Sequence, residues 1–282
     1  IRLLRAEGFS VEAVPNKGYI LLESCDIITE AGIKKHLIYD SAFTIDVYDV
    51  VSSTNSLMRE RTACGEGNTI IAKKQTKGVG RSERCFFSPE STGIYFSLLL
   101  KPELEARQSV IITTMAAAAV CKTIEEVTGK SPRIKWVNDI FLDGKKICGI
   151  LTQGSFSMET NMTEYIILGI GMNIYAPKGG FPDNIAGTAG YLLPYEVYDI
   201  KNRLVAGILD NFWDMYKSMD PVQIAQQYRH YSCVIGRRIT VHSAGSEIPA
   251  KVLDINEKCN LIVQFDDGST KILSSGEISI TL

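Results

Sequence analysis

Two stretches of the chain gather side chains suited to holding anions. They are Gln75-Thr76-Lys77-Gly78-Val79-Gly80-Arg81 and Lys135-Trp136-Val137-Asn138-Asp139, the latter followed by Asp143-Gly144-Lys145-Lys146-Ile147-Cys148-Gly149-Ile150-Leu151. In the first, Gly78 and Gly80 permit positive φ and close backbone approach, so successive N–H groups can converge on an anion. Lys77 and Arg81 add charge, and the planar fork of Arg81 suits a phosphate or carboxylate. The loop is not a P-loop, because G-x-x-x-x-G-K-[ST] is absent, and it lacks the G-x-G-x-x-G of a dinucleotide site. Taken alone it reads more readily as an ordinary turn.

The second stretch is sharper. Asp143-Gly144 is a two-residue turn signal that predicts antiparallel pairing of 140–142 with 146–151. Lys146 opens an apolar run there, and a lysine entering a buried run costs free energy unless an anion satisfies it. The alternative is a strand-edge lysine whose head reaches solvent. Lys145, on the opposite face by strand alternation, reads as a surface charge. A third segment, Leu168-Gly169-Ile170-Gly171-Met172-Asn173-Ile174, sets glycines at alternate strand positions. They would clear one face for a flat ligand, or relieve crowding between sheet and helix. Asn173 offers a donor and an acceptor to a base edge. Asn138 and Asp139 could assist Mg²⁺ or take a proton from an amine, or they could simply shape a turn.

The elements that must position these residues follow from periodicity. Strands are predicted over 45–50, 69–74, 93–100, 133–137, 139–142, 146–153 and 165–173, and helices over 53–61, 109–128, 200–216 and 222–231. A run of strands with separate helices predicts an α+β fold, a mixed sheet with helices to one side. Beyond Ser232, short strands over 238–241, 247–255, 261–265 and 270–273, with turns such as Asp266-Asp267-Gly268, suggest a small SH3-like β-barrel. At the front, residues 1–8 read as a helix end stopped by Gly8. Strands over 11–14 and 19–22 then flank Pro15-Asn16-Lys17-Gly18. Helix then hairpin is how a winged helix-turn-helix finishes, although a helix and hairpin packed on a larger domain would look the same. The expected organisation is a truncated winged helix over 1–24, a linker over 25–40, a catalytic domain over 41–231 and the barrel over 232–282.

Bulk properties narrow the setting. The 282 residues, 45% apolar with a net charge of −2, describe a globular protein with no disordered charged tail. That balance leaves a local basic face possible, so charge alone decides nothing about DNA. Seven dispersed cysteines without C-x-x-C, and three scattered histidines, predict free thiols in a reducing cytoplasm and no metal centre. No apolar run approaches the ~20 residues of a membrane span, and no signal peptide is evident.

Together with Ser52-Ser53-Thr54-Asn55, the order of motifs Ser-Thr-Asn, G-x-G-R, K-W-x-N-D, K-x-x-G-I-L and G-I-G-x-N resembles the biotin protein ligases, over nearly the whole chain. It is most similar to the bifunctional class that also represses the biotin operon. The resemblance implies a class II synthetase-like catalytic sheet that joins biotin to ATP with Mg²⁺. Biotinyl-5′-AMP forms, and biotin passes to a lysine of a biotin carboxyl carrier protein. It further implies biotin contacts from Ser53, Thr54, Asn55, Gln75, Gly149 and Leu151, and an adenylate-covering loop from Gly78, Val79, Gly80 and Arg81. Lys146 would meet both the biotin carboxylate and the α-phosphate, with Arg81 as second catalytic cation, and Asn173 would meet the adenine. Operator DNA and a ligand-linked homodimer are implied as partners. Departures from the family pattern are Val79 for an arginine, Glu83 for a glycine, Phe86 for a tryptophan and Val137 for a proline. They admit a slower ligase or a biotin sensor with little activity. A lipoate-type ligase is a third reading, opposed by the barrel and by the Ser-Thr-Asn/Gln75 set.

Overall fold

The structure is a computed structural model, and it describes residues 1–2, 11–21, 26–81, 84–105, 108–243, 246–274 and 277–279. Its centre is a seven-stranded mixed sheet. In chain order the strands are β3 (Thr44–Val51), β4 (Asn68–Gln75), β5 (Gly93–Leu100), β6 (Arg133–Lys135), β7 (Asp139–Leu142), β8 (Lys145–Phe156) and β9 (Thr163–Asn173). They lie side by side as β3-β4-β5-β9-β8-β7-β6. Only β3 and β4 run parallel; every other neighbouring pair is antiparallel. The β7–β8 turn has Asp143 at φ 50° and Gly144 at φ 74°, the double left-handed turn that matches strand twist.

Strand alternation divides the sheet. Ile94, Phe96, Leu98 and Leu100 of β5 join Ile166, Leu168, Ile170 and Met172 of β9 in the main core. Three long helices cover that face: α3 (Val110–Thr128), α5 (Ile200–Ser218) and α6 (Pro221–Tyr231). α3 carries Ala116 through Ala119, all fully buried, because it is enclosed by sheet and helices together. A Cβ on Gly207 of α5 would come 2.7 Å from Thr123 Cγ2 of α3, so glycine is what lets these helices close. Shorter helices are α1 (Glu30–Lys34), α2 (Thr54–Arg59) and α4 (Asp183–Ala186). α1 starts where Thr29 accepts from Gly32 N, and α6 where Asp220 caps with Pro221 behind it. α2 lies on the other face of the sheet, over a small cluster of Met58, Ile70, Leu99 and Ile167.

After α6 the chain forms a five-stranded antiparallel sheet ordered β13-β12-β11-β10-β14. These are β10 (Arg238–Ser243), β11 (Ser246–Ile255), β12 (Leu261–Phe265), β13 (Thr270–Leu273) and β14 (Glu277–Ser279). Its apolar interior, including Ile239, Val252, Leu261 and Val263, is continuous with the main core. Trp136 Nε1 donates to Cys259 O at 3.1 Å across the join. That bond explains why β6 stops at Lys135, short of the expected 137: Trp136 turns towards the barrel. β14 carried no sequence signal long enough to be expected. At the front, β1 (Val11–Val14) and β2 (Gly18–Leu21) pair antiparallel around a turn with Asn16 at φ 59°. Most of the expected preceding helix, and Glu83, lie outside the described residues.

Candidate active site

On the face opposite the long helices lies a cavity of about 710 Å³, walled by β8, β9, α2, the glycine loop and the barrel. Ser53 caps α2 through a 3.5 Å contact with Ser56 N, which points the next two side chains at the sheet. Thr54 N and Thr54 Oγ1 both donate to Gln75 Oε1, at 2.8 and 3.2 Å. Gln75 Nε2 donates to Ser88 Oγ at 2.9 Å. Ser97 Oγ on β5 stands 2.6 Å from Asn55 Oδ1 and 2.8 Å from Thr54 Oγ1, and Asn55 Nδ2 donates to Gln153 at 3.0 Å. This end of the cavity is therefore a net of paired amides and hydroxyls. Such a net can exchange partners with a polar ring ligand.

The glycine loop is folded on itself. Gly80 N donates to Arg84 O at 2.7 Å and Phe86 N to Gly78 O at 2.9 Å, while Val79 bridges to Cys85. Neither Gly78 nor Gly80 has a positive φ. Of the two freedoms expected of these glycines, the loop uses close backbone approach and not a positive φ. The glycines serve close packing, since a Cβ on Gly78 would lie 2.4 Å from Phe86 O and one on Gly80 3.1 Å from Arg84 O. Arg81 reaches across the cavity, donating from Nη1 to Asn138 Oδ1 at 2.9 Å, and Asn138 is held in turn by Ile150 O. The Trp136–Val137 peptide beside it is cis.

Lys146 projects from β8 into the cavity, its Nζ 2.7 Å from Asp139 Oδ1. Lys145 points outward to Gly187 O, as alternation predicts. The bare faces of Gly169 and Gly171 are already taken: a Cβ on the first would meet Asn55 and on the second the Phe86 ring. Burial raises the Tyr95 hydroxyl, which sits edge-on to Phe86, to about 12, partly opposed by its contact with Thr92. Among the lining residues the charges are Arg81, Arg84, Lys135 and Lys146 against one carboxylate, Asp139, with His242 from the barrel beside them. A cavity so lined attracts phosphate and carboxylate together.

Comparison with known proteins matches residues 47–173 to the biotin/lipoate A/B protein ligase family and 234–280 to the biotin protein ligase C-terminal domain. A bifunctional ligase/repressor BirA from Bacillus subtilis is 32% identical over 292 residues, spanning 98% of this chain and 86% of its own length. This chain belongs to the biotin protein ligase family. A biotin–[acetyl-CoA-carboxylase] ligase of Mycobacterium tuberculosis is 26% identical, over 83% of the chain and 88% of its own length. The solved biotin protein ligase of Aquifex aeolicus, in complex with biotin and ATP, shares the fold. Its TM-score is 0.69 at 24% identity, over 84% of this chain and 98% of that one.

In this member of the biotin protein ligases, the cavity gathers Ser53, Thr54, Asn55, Gln75, Val79, Gly80, Arg81, Lys146, Gly149 and Leu151. Gly78 and Asn173 are not among its lining residues. Asn173 is buried, its Nδ2 donating to Gly190 O at 3.0 Å, so it braces the loop that carries Gly187 and Thr188 to the cavity. Sequence reasoning did not assign a lining role to Arg84, Lys135, Phe141 or His242. Lys135 was within reach of it: on β6 it pairs with Asp139, and paired residues share a face. His242 carried no local signal, because only tertiary packing brings the barrel over the cavity.

Proposed function

We propose that the chain joins biotin to ATP and passes the biotinyl group to a lysine of a biotin carboxyl carrier protein. The observation that carries this is Lys146, held in the cavity beside Asp139 and facing the tethered Arg81. When a biotin carboxylate attacks the α-phosphorus, two anions approach and negative charge builds on the phosphate oxygens. A new O–P bond forms, the bond to the β-phosphate oxygen breaks, and pyrophosphate leaves with that electron pair. Lys146 and Arg81 are suited to neutralise that charge, and the amide net around Thr54, Asn55 and Gln75 to hold biotin's polar ring. Gly149 and Leu151 line the way between. Asn173 acts at one remove as a positioning residue, bracing the 187–190 loop against which a nucleotide base would rest. The covering loop, including Val79 and Gly80, keeps water from the mixed anhydride.

Mg²⁺ fits the donor set as a companion of ATP rather than as a resident ion. Among the described residues no group of three ligating side chains exists, and Asp139 is the one lining carboxylate. Mg²⁺ of this kind is held by phosphates and water with one or two carboxylates, and supplies charge neutralisation there.

The name of the Bacillus subtilis relative and the β1–β2 hairpin, read as a wing, support a second role as a biotin-responsive repressor of an operator. A ligand-linked second copy and a cytoplasmic setting belong to the same reading. The decisive experiment is biotin calorimetry with and without MgATP, followed by mass spectrometry of the bound species. Wild type is expected to yield biotinyl-5′-AMP, and a folded Lys146→Ala protein none; normal adenylate from Lys146→Ala would sink the mechanism. The presence of Val79 in the covering loop favours one alternative, a sensor that hardly transfers biotin. Robust labelling of a carrier domain by wild type excludes it.

A further inference from the structure

We propose that Arg133, Lys135 and Arg237 form a diphosphate-binding annex to the cavity, for the β,γ-phosphate end of ATP and the pyrophosphate released from it; this rests on the adenylation reading above. A second cavity of about 150 Å³ lies where the sheet meets the barrel, and it is lined by these three cations with Ser131, Phe141, Gly144, Cys233 and a single carboxylate, Asp143. It shares Lys135, Phe141 and Gly144 with the main cavity, so the two adjoin.

Strand register gives the alignment. Lys146 pairs with Phe141, and Phe141 with Arg133, so the three form one row across adjacent strands. Directly paired residues share a face, which sets Arg133 two strand spacings, roughly 10 Å, from Lys146. The neighbouring row runs Gly149, Asp139, Lys135. A polyphosphate whose α end meets Lys146 therefore has its far end directed along the row towards Arg133.

Electrostatics points the same way. The Cys233 thiol at the back of the recess is pushed up by burial, but Arg237, Lys135 and Arg133 each pull it down, so all three cations converge there. None of the three is ion-paired to a carboxylate among the described residues. Lys135 lies instead over the Phe141 ring at 5.9 Å. Three cations against the one carboxylate, Asp143, leave the recess net positive, which favours entry of an anion. The walls are fixed by backbone: Cys233 N donates to Ile134 O at 2.9 Å, and Arg237 N to Val234 O at 3.1 Å. A recess of this size admits one or two phosphates and excludes a protein segment.

The test is direct calorimetric titration with inorganic pyrophosphate of wild type, Arg133→Gln, Arg237→Gln and, as a charge control, Arg238→Gln. Arg238 is exposed and paired with Asp266 outside the recess. The first two variants are expected to weaken pyrophosphate binding about tenfold each, with biotin affinity and the control unchanged. If the KM for ATP rises in step, the annex holds the substrate tail; if only pyrophosphate weakens, it is a product station. Absence of pyrophosphate binding by wild type, equal binding by both variants, or an equal loss in Arg238→Gln overturns the annex. Adenylate formation is read separately in the same proteins. Its failure in wild type would strike the functional reading, whereas intact adenylation with unaffected variants strikes the annex alone.

Discussion

Replacing Gly169 with alanine tests the amide net at the cavity floor. A methyl there would lie 2.1 Å from Asn55 Oδ1, with the next two nearest atoms also in the Asn55 amide, at 2.8 and 3.0 Å. Asn55 is only 5% exposed and is fastened to Ser97 and Gln153, so it cannot swing aside without breaking both contacts. Two hydrogen bonds at about 1 kcal/mol each, plus a buried amide left unsatisfied, give an expected destabilisation of about 3 kcal/mol. In a protein of this size that lowers Tm by roughly 5–10 °C. Biotin affinity should fall tenfold or more, since the displaced amide belongs to the wall that would hold biotin. The Asn55→Ala background reverses the sign. The methyl then has room, and removing a glycine from an extended strand stabilises by about 0.4–1 kcal/mol through the unfolded state. Unfolding of wild type, both single variants and the double variant should give a coupling of about 3.5–4 kcal/mol, with biotin calorimetry alongside. Additive effects would refute the reasoning, because the cost of the methyl would then lie outside Asn55.

Asn138→Ala removes the hydrogen bond that aims Arg81, and is expected to raise the KM for ATP about tenfold while calorimetry finds biotin affinity unchanged. Asp26→Ala deprives the buried Lys201 and Tyr175 of their carboxylate, so urea unfolding should register a loss of about 3 kcal/mol or more. The Tyr95 hydroxyl, raised by burial from 10.0 to about 12, contributes stability that is complete below pH 10 and lost as pH climbs towards 12. That loss amounts to roughly 3 kcal/mol. Tyr95→Phe should flatten this part of a pH–stability curve; an unchanged curve would mean that Tyr95 ionises no differently in the fold.

Much of the scaffold was legible because its signals are local. Asp143-Gly144 fixed the β7–β8 hairpin, alternation set Lys145 and Lys146 on opposite faces, and Ser53 and Pro221 marked two helix starts. That Lys146 enters the cavity beside Gly149 follows from a bulge between Lys146 and Cys148 that no local signal announced. What remained hidden depends on long-range packing. Gly78 and Gly80 are there for a loop folded on itself, and a G-x-G pattern reads the same whether its amides face a ligand or a neighbouring carbonyl. The bare face at Gly169 and Gly171 was visible, but not that Asn55 and Phe86, far away in sequence, would fill it. Asn173 advertised hydrogen-bonding capacity without saying that Gly190 would use it. The barrel's contribution of His242 is of the same kind.

Just past Asn173, the hydroxyl of Tyr175 donates to Asp26 at 2.6 Å, and Asp26 also takes the Lys201 N–H that opens α5. Lys201 Nζ closes the knot on the carbonyls of Asp26 and Ser91. Asp26 lies shortly after the end of β2, on the way from the front hairpin to the sheet. The chain that follows the hairpin is thus bolted at Asp26 to the same strand end that braces the cavity loop. A charged knot buried this deeply does not slide, so the stiffness of the cavity rim is also the stiffness of that mounting.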